Sequence, residues 1–111
     1  DSAQQLAEKL QARMILVLTE SGRAAREIAQ FHGSQPILAL TPTLDTARAL
    51  SIIRGVTARI YAPRQEITHI RGELKKIAHT YGAQTGDLVV IASGSKMRKT
   101  GSTNMVMVEV I

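Results

Sequence analysis

Met14-Ile15-Leu16-Val17-Leu18-Thr19-Glu20-Ser21-Gly22-Arg23 is the stretch that decides the fold. Its first five residues form an unbroken apolar run. That is too short for an ordinary helix, and continuity rather than alternation suits a strand buried on both faces. A polar turn containing a glycine follows. Residues 22–31 then take up helical spacing, with Ala25, Ile28 and Ala29 facing inward. Strand, tight turn and helix together open a βαβ unit.

The same grammar repeats in both directions. Upstream, Ala3, Leu6, Ala7 and Leu10 recur at helical spacing and predict a short amphipathic helix. Downstream, Pro36 precedes a second strand over residues 37–40. Thr43 is a natural N-cap for a helix running to about Ile53, with Asp45 favourable in its first turn. Arg54-Gly55 ends that helix, and residues 56–61 supply a third strand. Ile67, Ile70, Leu74, Ile77, Ala78 and Tyr81 form one stripe of the longest helix, which Gly82 caps. Asp87 introduces a fourth buried strand over residues 88–92. A polar loop, residues 93–104, leads to a fifth at residues 105–111.

Strands separated by single helices imply right-handed crossovers and a mostly parallel sheet covered on both faces. The last two strands are joined only by a Gly/Ser/Lys-rich loop, which suits an antiparallel hairpin at one edge. The expectation is a single α/β domain over residues 1–111, a three-layer αβα arrangement with five strands.

The composition agrees. A chain of 111 residues with 44% hydrophobic content closes one core but leaves no room for a catalytic barrel beside it. The absence of cysteine excludes disulfides and thiolate metal sites. No apolar run reaches the length of a membrane span and no signal-peptide pattern opens the chain. The start at Asp1 suggests a segment of a longer cytoplasmic protein. The net charge of +5 invites an anionic partner, yet the cations are dispersed and no aromatics interleave with them to stack on bases. A small phosphorylated ligand fits that charge better than a nucleic acid.

Two segments could carry the chemistry. Thr19-Glu20-Ser21-Gly22-Arg23 sits where a strand becomes a helix, so its backbone N–H groups point outward. The hydroxyls of Thr19 and Ser21, the approach allowed by Gly22 and the charge of Arg23 could hold a phosphate. The alternative is that Ser21 caps the helix and Gly22 permits the turn. The second segment runs from Gly94 through Ser95, Lys96, Met97, Arg98, Lys99, Thr100, Gly101, Ser102 and Thr103 to Asn104. It follows the fourth strand and carries three cations among hydroxyls; its alternative is a solvated hairpin tip. If strands one and four are neighbours, both segments flank one crevice, where ligands bind in open α/β sheets. His32 follows a helix end. His69 and His79 are ten residues apart on one long helix, so no metal site is expected. Glu20, Asp45 and Asp87 are dispersed, and no nucleophile elbow or catalytic triad is legible, so no catalytic residue is assigned.

Four motifs then add up to something familiar. Ile15-Leu16-Val17-Leu18-Thr19-Glu20-Ser21-Gly22-Arg23 comes first, then Thr46-Ala47-Arg48-Ala49-Leu50 with Arg54-Gly55-Val56. Gly86-Asp87-Leu88-Val89-Val90 and Gly101-Ser102-Thr103-Asn104 complete the set. In that order they resemble the V-x-T-E-S-G-R-T, T-A-R-x-L…R-G-V, G-D-L-V-V and G-S-T-N signatures of the pyruvate kinase C-terminal domain. The resemblance implies strand order 3-2-1-4-5 with the last strand antiparallel, and a contact that builds a homo-oligomer. It also implies a site for a phosphorylated effector at Thr19, Ser21, Gly22 and Arg23, helped by Lys96, Arg98, Lys99, Thr100, Gly101 and Ser102. The parent reaction, phosphoryl transfer from phosphoenolpyruvate to ADP, would belong to a separate catalytic barrel holding Mg2+ and K+; no cofactor is implied for this chain.

Two departures stand out. Ala24 replaces the usual Thr or Ser, and Glu20 stands where animal and fungal members carry lysine. Fructose 1,6-bisphosphate is therefore disfavoured, which leaves a sugar monophosphate, a nucleotide monophosphate or a vestigial site as the alternatives. The competing expectations are a free-standing phosphate-ligand binding protein of the same fold and a small enzyme working in the crevice. The length of the full gene separates the first of these from a regulatory domain.

Overall fold

The computed structural model describes residues 2–31, 33–63, 65, 69–94 and 103–111, the side chains of Thr103 and Asn104 excepted. The chain runs α1 (Ser2–Leu10), β1 (Met14–Leu18), α2 (Arg23–Ala29), β2 (Ile37–Thr41), α3 (Leu44–Ser51), β3 (Val56–Ile60), α4 (Arg71–Thr80), β4 (Leu88–Gly94), β5 (Thr103–Val110). The strands form one sheet in the order β3-β2-β1-β4-β5. The pairs β1·β2, β1·β4 and β2·β3 are parallel, while β4·β5 is antiparallel. This is the α/β architecture that the residue pattern implied, in the strand order that the family resemblance implied.

β1 has the bounds read from its apolar run, and all five of its residues are buried. Successive side chains point to opposite faces, so it feeds two cores. Ile15 and Val17 join Ile37, Ala39, Val56, Ala58, Val90 and Ala92 beneath α1, α2 and α3. Met14, Leu16 and Leu18 join Leu38, Leu40, Val89 and Ile91 beneath α4. The two faces solve packing differently. Three helices crowd the first, and their contact residues are mostly alanines: Ala3, Ala7, Ala24, Ala25 and Ala47. The second face has α4 alone among the described helices, seated by Ile70, Leu74 and Ala78 on bulkier strand residues. Both faces are covered as expected, but unequally.

Local chemistry sets the helix ends. Thr43 caps α3, its Oγ1 accepting the Thr46 N–H at 3.4 Å. α4 starts at Arg71 rather than within the stripe that began at Ile67, a residue outside the description. Consequently His69 precedes the helix and only His79 lies on it, where its Nδ1 donates to the Ala83 carbonyl at 2.8 Å. Tyr81 is the C-cap, and Gly82 N–H bonds the His79 carbonyl beyond it. His32 lies outside the described residues. The hairpin strands extend further than their apolar runs: β4 continues through Ser93 to Gly94, and β5 begins at Thr103, with a register irregularity at Ser93/Gly94. Backbone pairing does not require apolar side chains.

The two edges of the sheet differ. At the β3 edge, the Val56 N–H is taken by the Ile53 carbonyl at 3.1 Å. Arg59 folds back along the strand. Its Nη1 donates to the Ala58 carbonyl at 2.8 Å and its Nε to the Tyr81 hydroxyl at 2.6 Å, with the guanidinium 5.3 Å from that ring's centroid. Such charged cover is how native sheets block edge pairing. β5 has no comparable guard among the described residues, and exposes Met105, Val108 and Val110. No helix among the described residues is long and apolar enough to cross a membrane.

Candidate functional site

A parallel sheet sends its loops out at the carboxyl ends of its strands, and a crevice opens where the chain order reverses. Here the reversal falls between β1 and β4, in register from Met14↔Val89 to Leu18↔Ser93. A cleft of about 460 Å³ lies there. β1 and the turn after it contribute Leu18, Thr19 and Glu20, β2 and the residue beyond its end Leu40 and Pro42, and β4 Ser93 and Gly94. The connection from β3 to α4 adds Tyr61, Ala62, Pro63, Gln65 and Ile70. The lining mixes apolar residues such as Leu18, Leu40 and Ile70 with polar ones such as Thr19, Glu20, Gln65 and Ser93, the ordinary make-up of a small-molecule site.

The turn after β1 is held by its own side chains. Thr19 is buried, and its Oγ1 accepts the Gly22 N–H at 2.9 Å. Ser21 Oγ accepts the Arg23 N–H at 3.3 Å. Gly22, at φ 91°, is the N-cap of α2 and makes no side-chain cap. An added Cβ there would lie 3.2 Å from Leu50 Cδ2 and 3.3 Å from Thr46 Cγ2, so the turn sits hard against α3. The Glu20 carbonyl accepts from Thr41 Oγ1 at 3.4 Å and from Thr46 Oγ1 at 3.3 Å. Thr46 in turn receives the Thr43 hydroxyl at 2.9 Å. The β2–α3 connection therefore clamps the turn in one conformation.

The far wall belongs to α4. The Tyr61 hydroxyl donates to Glu73 Oε1 at 3.2 Å, and a second hollow lined by Tyr61, Ala62, Gln65, Ile70 and Glu73 continues the cleft. Burial, then the hydrogen bond to Glu73 and its charge, push the Tyr61 phenol above its ordinary pKa, so it stays a neutral donor at neutral pH.

Residues 1–109 match the family described as Pyruvate kinase, alpha/beta domain. The chain belongs to that family. It is 41% identical over 106 residues to the pyruvate kinase of Thermotoga maritima, covering 94% of this chain and 22% of that protein. It is 36% identical over 111 residues to the pyruvate kinase of Eimeria tenella (99% and 21%). Against pyruvate kinase 2 of Synechocystis sp. the figure is 32% over 108 residues (96% and 18%). The chain thus spans about a fifth of the length of these curated relatives.

Within this pyruvate kinase α/β domain, the residues singled out from sequence fall into three groups. Thr19 lines the cleft, with its oxygen already bonded in the turn. Ser21, Gly22 and Arg23 belong to the same turn but not to the cleft lining; Ser21 and Arg23 are exposed, and Gly22 packs towards α3. Lys96, Arg98, Lys99, Thr100, Gly101 and Ser102 lie outside the described residues, between Ser93-Gly94 on the cleft and the start of β5. Sequence reasoning missed Tyr61, Gln65 and Ile70. The signal was available: they follow the carboxyl end of β3, and the rule applied to strands one and four applies there too.

The clamp on the Glu20 carbonyl gives one measurable consequence. Thr41 is fully buried, and valine would keep its shape while removing one donor. Because Thr46 still serves that carbonyl, Thr41→Val should cost about 0.5–1 kcal/mol in urea unfolding, at unchanged slope. A neutral result would mean that Thr46 alone holds the turn.

Proposed function

We propose that this chain is the regulatory and subunit-contact domain of a pyruvate kinase, and that its cleft receives a small phosphorylated ligand. The parent reaction, transfer of a phosphoryl group from phosphoenolpyruvate to ADP giving pyruvate and ATP, would take place on a catalytic barrel joined to it, with Mg2+ and K+ held there. The observation that carries the reading is the convergence of the ends of β1, β2, β3 and β4 on one cleft at the reversal of chain order. Membership of the pyruvate kinase family supports the wider role, and the unguarded β5 edge supports a homo-oligomeric contact.

In this reading a sugar monophosphate or nucleotide monophosphate sets its phosphate on the turn at residues 19–23. Backbone N–H groups, the Thr19 and Ser21 hydroxyls and Arg23 contribute from that side. Lys96, Arg98 and Lys99, with Thr100, Gly101 and Ser102, contribute from the β4–β5 loop. Three features weaken the site. Ala24 brings no hydroxyl, Glu20 puts a carboxylate on the rim, and the Gly22 and Arg23 N–H groups already have partners that a ligand must displace. Affinity should therefore be modest, with Kd on the order of millimolar to high micromolar.

Titrating sugar and nucleotide monophosphates while following backbone amide signals tests this directly. Saturable shifts at Ser21, Gly22, Arg23 and Ala24 are expected. Ligand-specific shifts confined to another surface would overturn the site, and no shift with any of these ligands would leave the domain an assembly module alone.

A further inference from the structure

The first turn of α4 touches two places at once. On one side it borders the cleft: Ile70, its N-cap, lines the cavity, and Glu73 accepts the hydroxyl of Tyr61, another lining residue. On the other side, Arg71 Nε lies 2.6 Å from Glu109 Oε2 on the edge strand β5. That approach is close, though the N–H is not aimed squarely at the oxygen, and the contact joins the two groups by proximity and charge together. The partners differ sharply in environment: Arg71 is 53% exposed, whereas Glu109 is 5% exposed. A carboxylate that deep needs its counter-charge, because an uncompensated buried ion is strongly destabilising. Glu109 sits opposite Val89, on the face of the sheet that α4 covers.

We infer that the first turn of α4 couples the cleft to the β5 edge, with Arg71 and Glu109 as the coupling pair. Arg71 and Glu73 belong to one helical turn and move together. α4 is the lone helix on its face among the described residues, and no neighbouring helix there absorbs a shift of that turn. A displacement that begins at Tyr61 or Ile70 is therefore delivered to Glu109 by the charge contact, and Glu109 is part of β5. Two sites biased by one element are coupled reciprocally: whatever pairs with β5 acts back on the cleft. That the cleft is a ligand site rests on the reading above, but the coupling can be measured without a ligand.

The experiment is a mutant cycle on the 111-residue chain, read by backbone amide shifts at Met107, Val108, Glu109 and Val110. Tyr61→Phe removes the hydroxyl that reaches Glu73 and perturbs the cleft end of the turn. Glu109→Gln removes the charge but keeps the shape, leaving no unpaired buried ion, so this variant retains the fold. Tyr61→Phe alone should move the four β5 amides, and the same substitution in the Glu109→Gln background should leave them still. If Tyr61→Phe never reaches β5, or moves it equally in both backgrounds, the coupling is wrong. Inorganic phosphate serves as a second probe. Shifts at Gly22 and Ala24 without any at β5 would overturn the coupling while sparing the ligand site. A cycle that behaves as expected, with no phosphate shift at the turn, would support the coupling and count against the ligand.

Discussion

Leu74→Ala should lower the unfolding free energy by about 3 kcal/mol, within the usual range for a leucine truncated in a closed core. Leu74 is fully buried, and with Ile70 and Ala78 it seats α4 on Met14, Leu16, Leu38, Leu40, Val89 and Ile91. Ile70 is already at the helix cap and Ala78 is small, so Leu74 is the anchor at the middle of the helix. On the opposite face, α1, α2 and α3 share the load and can close over a small void; α4 has no such neighbour among the described residues. Urea unfolding measures the loss. A drop below about 1 kcal/mol would mean that α4 contributes little to the cooperative core. If α4 comes away before the rest, the transition should also broaden and its slope fall, because less surface is exposed in the main step.

Gly22→Val should cost a comparable amount, about 3 kcal/mol, for two separable reasons. The backbone at φ 91° lies where a β-branched residue is strained, worth about 1–3 kcal/mol. The side chain must also push into Leu50 and Thr46, where a Cβ would already meet carbons at 3.2 and 3.3 Å. Gly55 supplies the control. It has φ 86°, with nothing within 4 Å of its would-be Cβ. Gly55→Ala thus reports the backbone strain alone, and Gly22→Ala minus Gly55→Ala isolates the crowding against α3. Equal costs for the two alanine variants would show that α3 yields freely and that the turn is less tightly clamped than its contacts indicate.

How much of this was legible in the sequence depended on what each signal meant physically. The β1 run was unambiguous because a strand buried on both faces has no polar positions to blur its ends. Thr43 was readable as a cap because a hydroxyl before an apolar-periodic stretch has one favourable use there. The ends of β4 and β5 were not readable, since Ser93, Gly94 and Thr103 pair through their backbones and carry no hydrophobic mark. Gln4 gave no warning of its burial either. It packs where a side chain on Gly33 would otherwise stand, a close approach between α1 and the α2–β2 connection that only the folded chain creates. At the cleft, the β1 turn was found through its motif, and the β4–β5 loop through its cations. The β3–α4 connection lacked both and was passed over, although geometry gives it a whole wall. The Arg71–Glu109 pair is 38 residues apart in sequence, and no local pattern announces such a contact.

The unequal edges of the sheet limit what it can build. A sheet with two open edges can add copies head to tail without end, β5 of one against β3 of the next, and the product is a fibre. With the Val56 amide and the Ala58 carbonyl already occupied, β3 is a poor acceptor for such growth. If the proposed subunit contact forms by strand addition, it is left to β5 meeting β5 about a two-fold axis, and that contact would use up the edge on both partners. The product would be a closed pair with no growing end. By covering that edge, Arg59 would act as a chain terminator against such polymerisation.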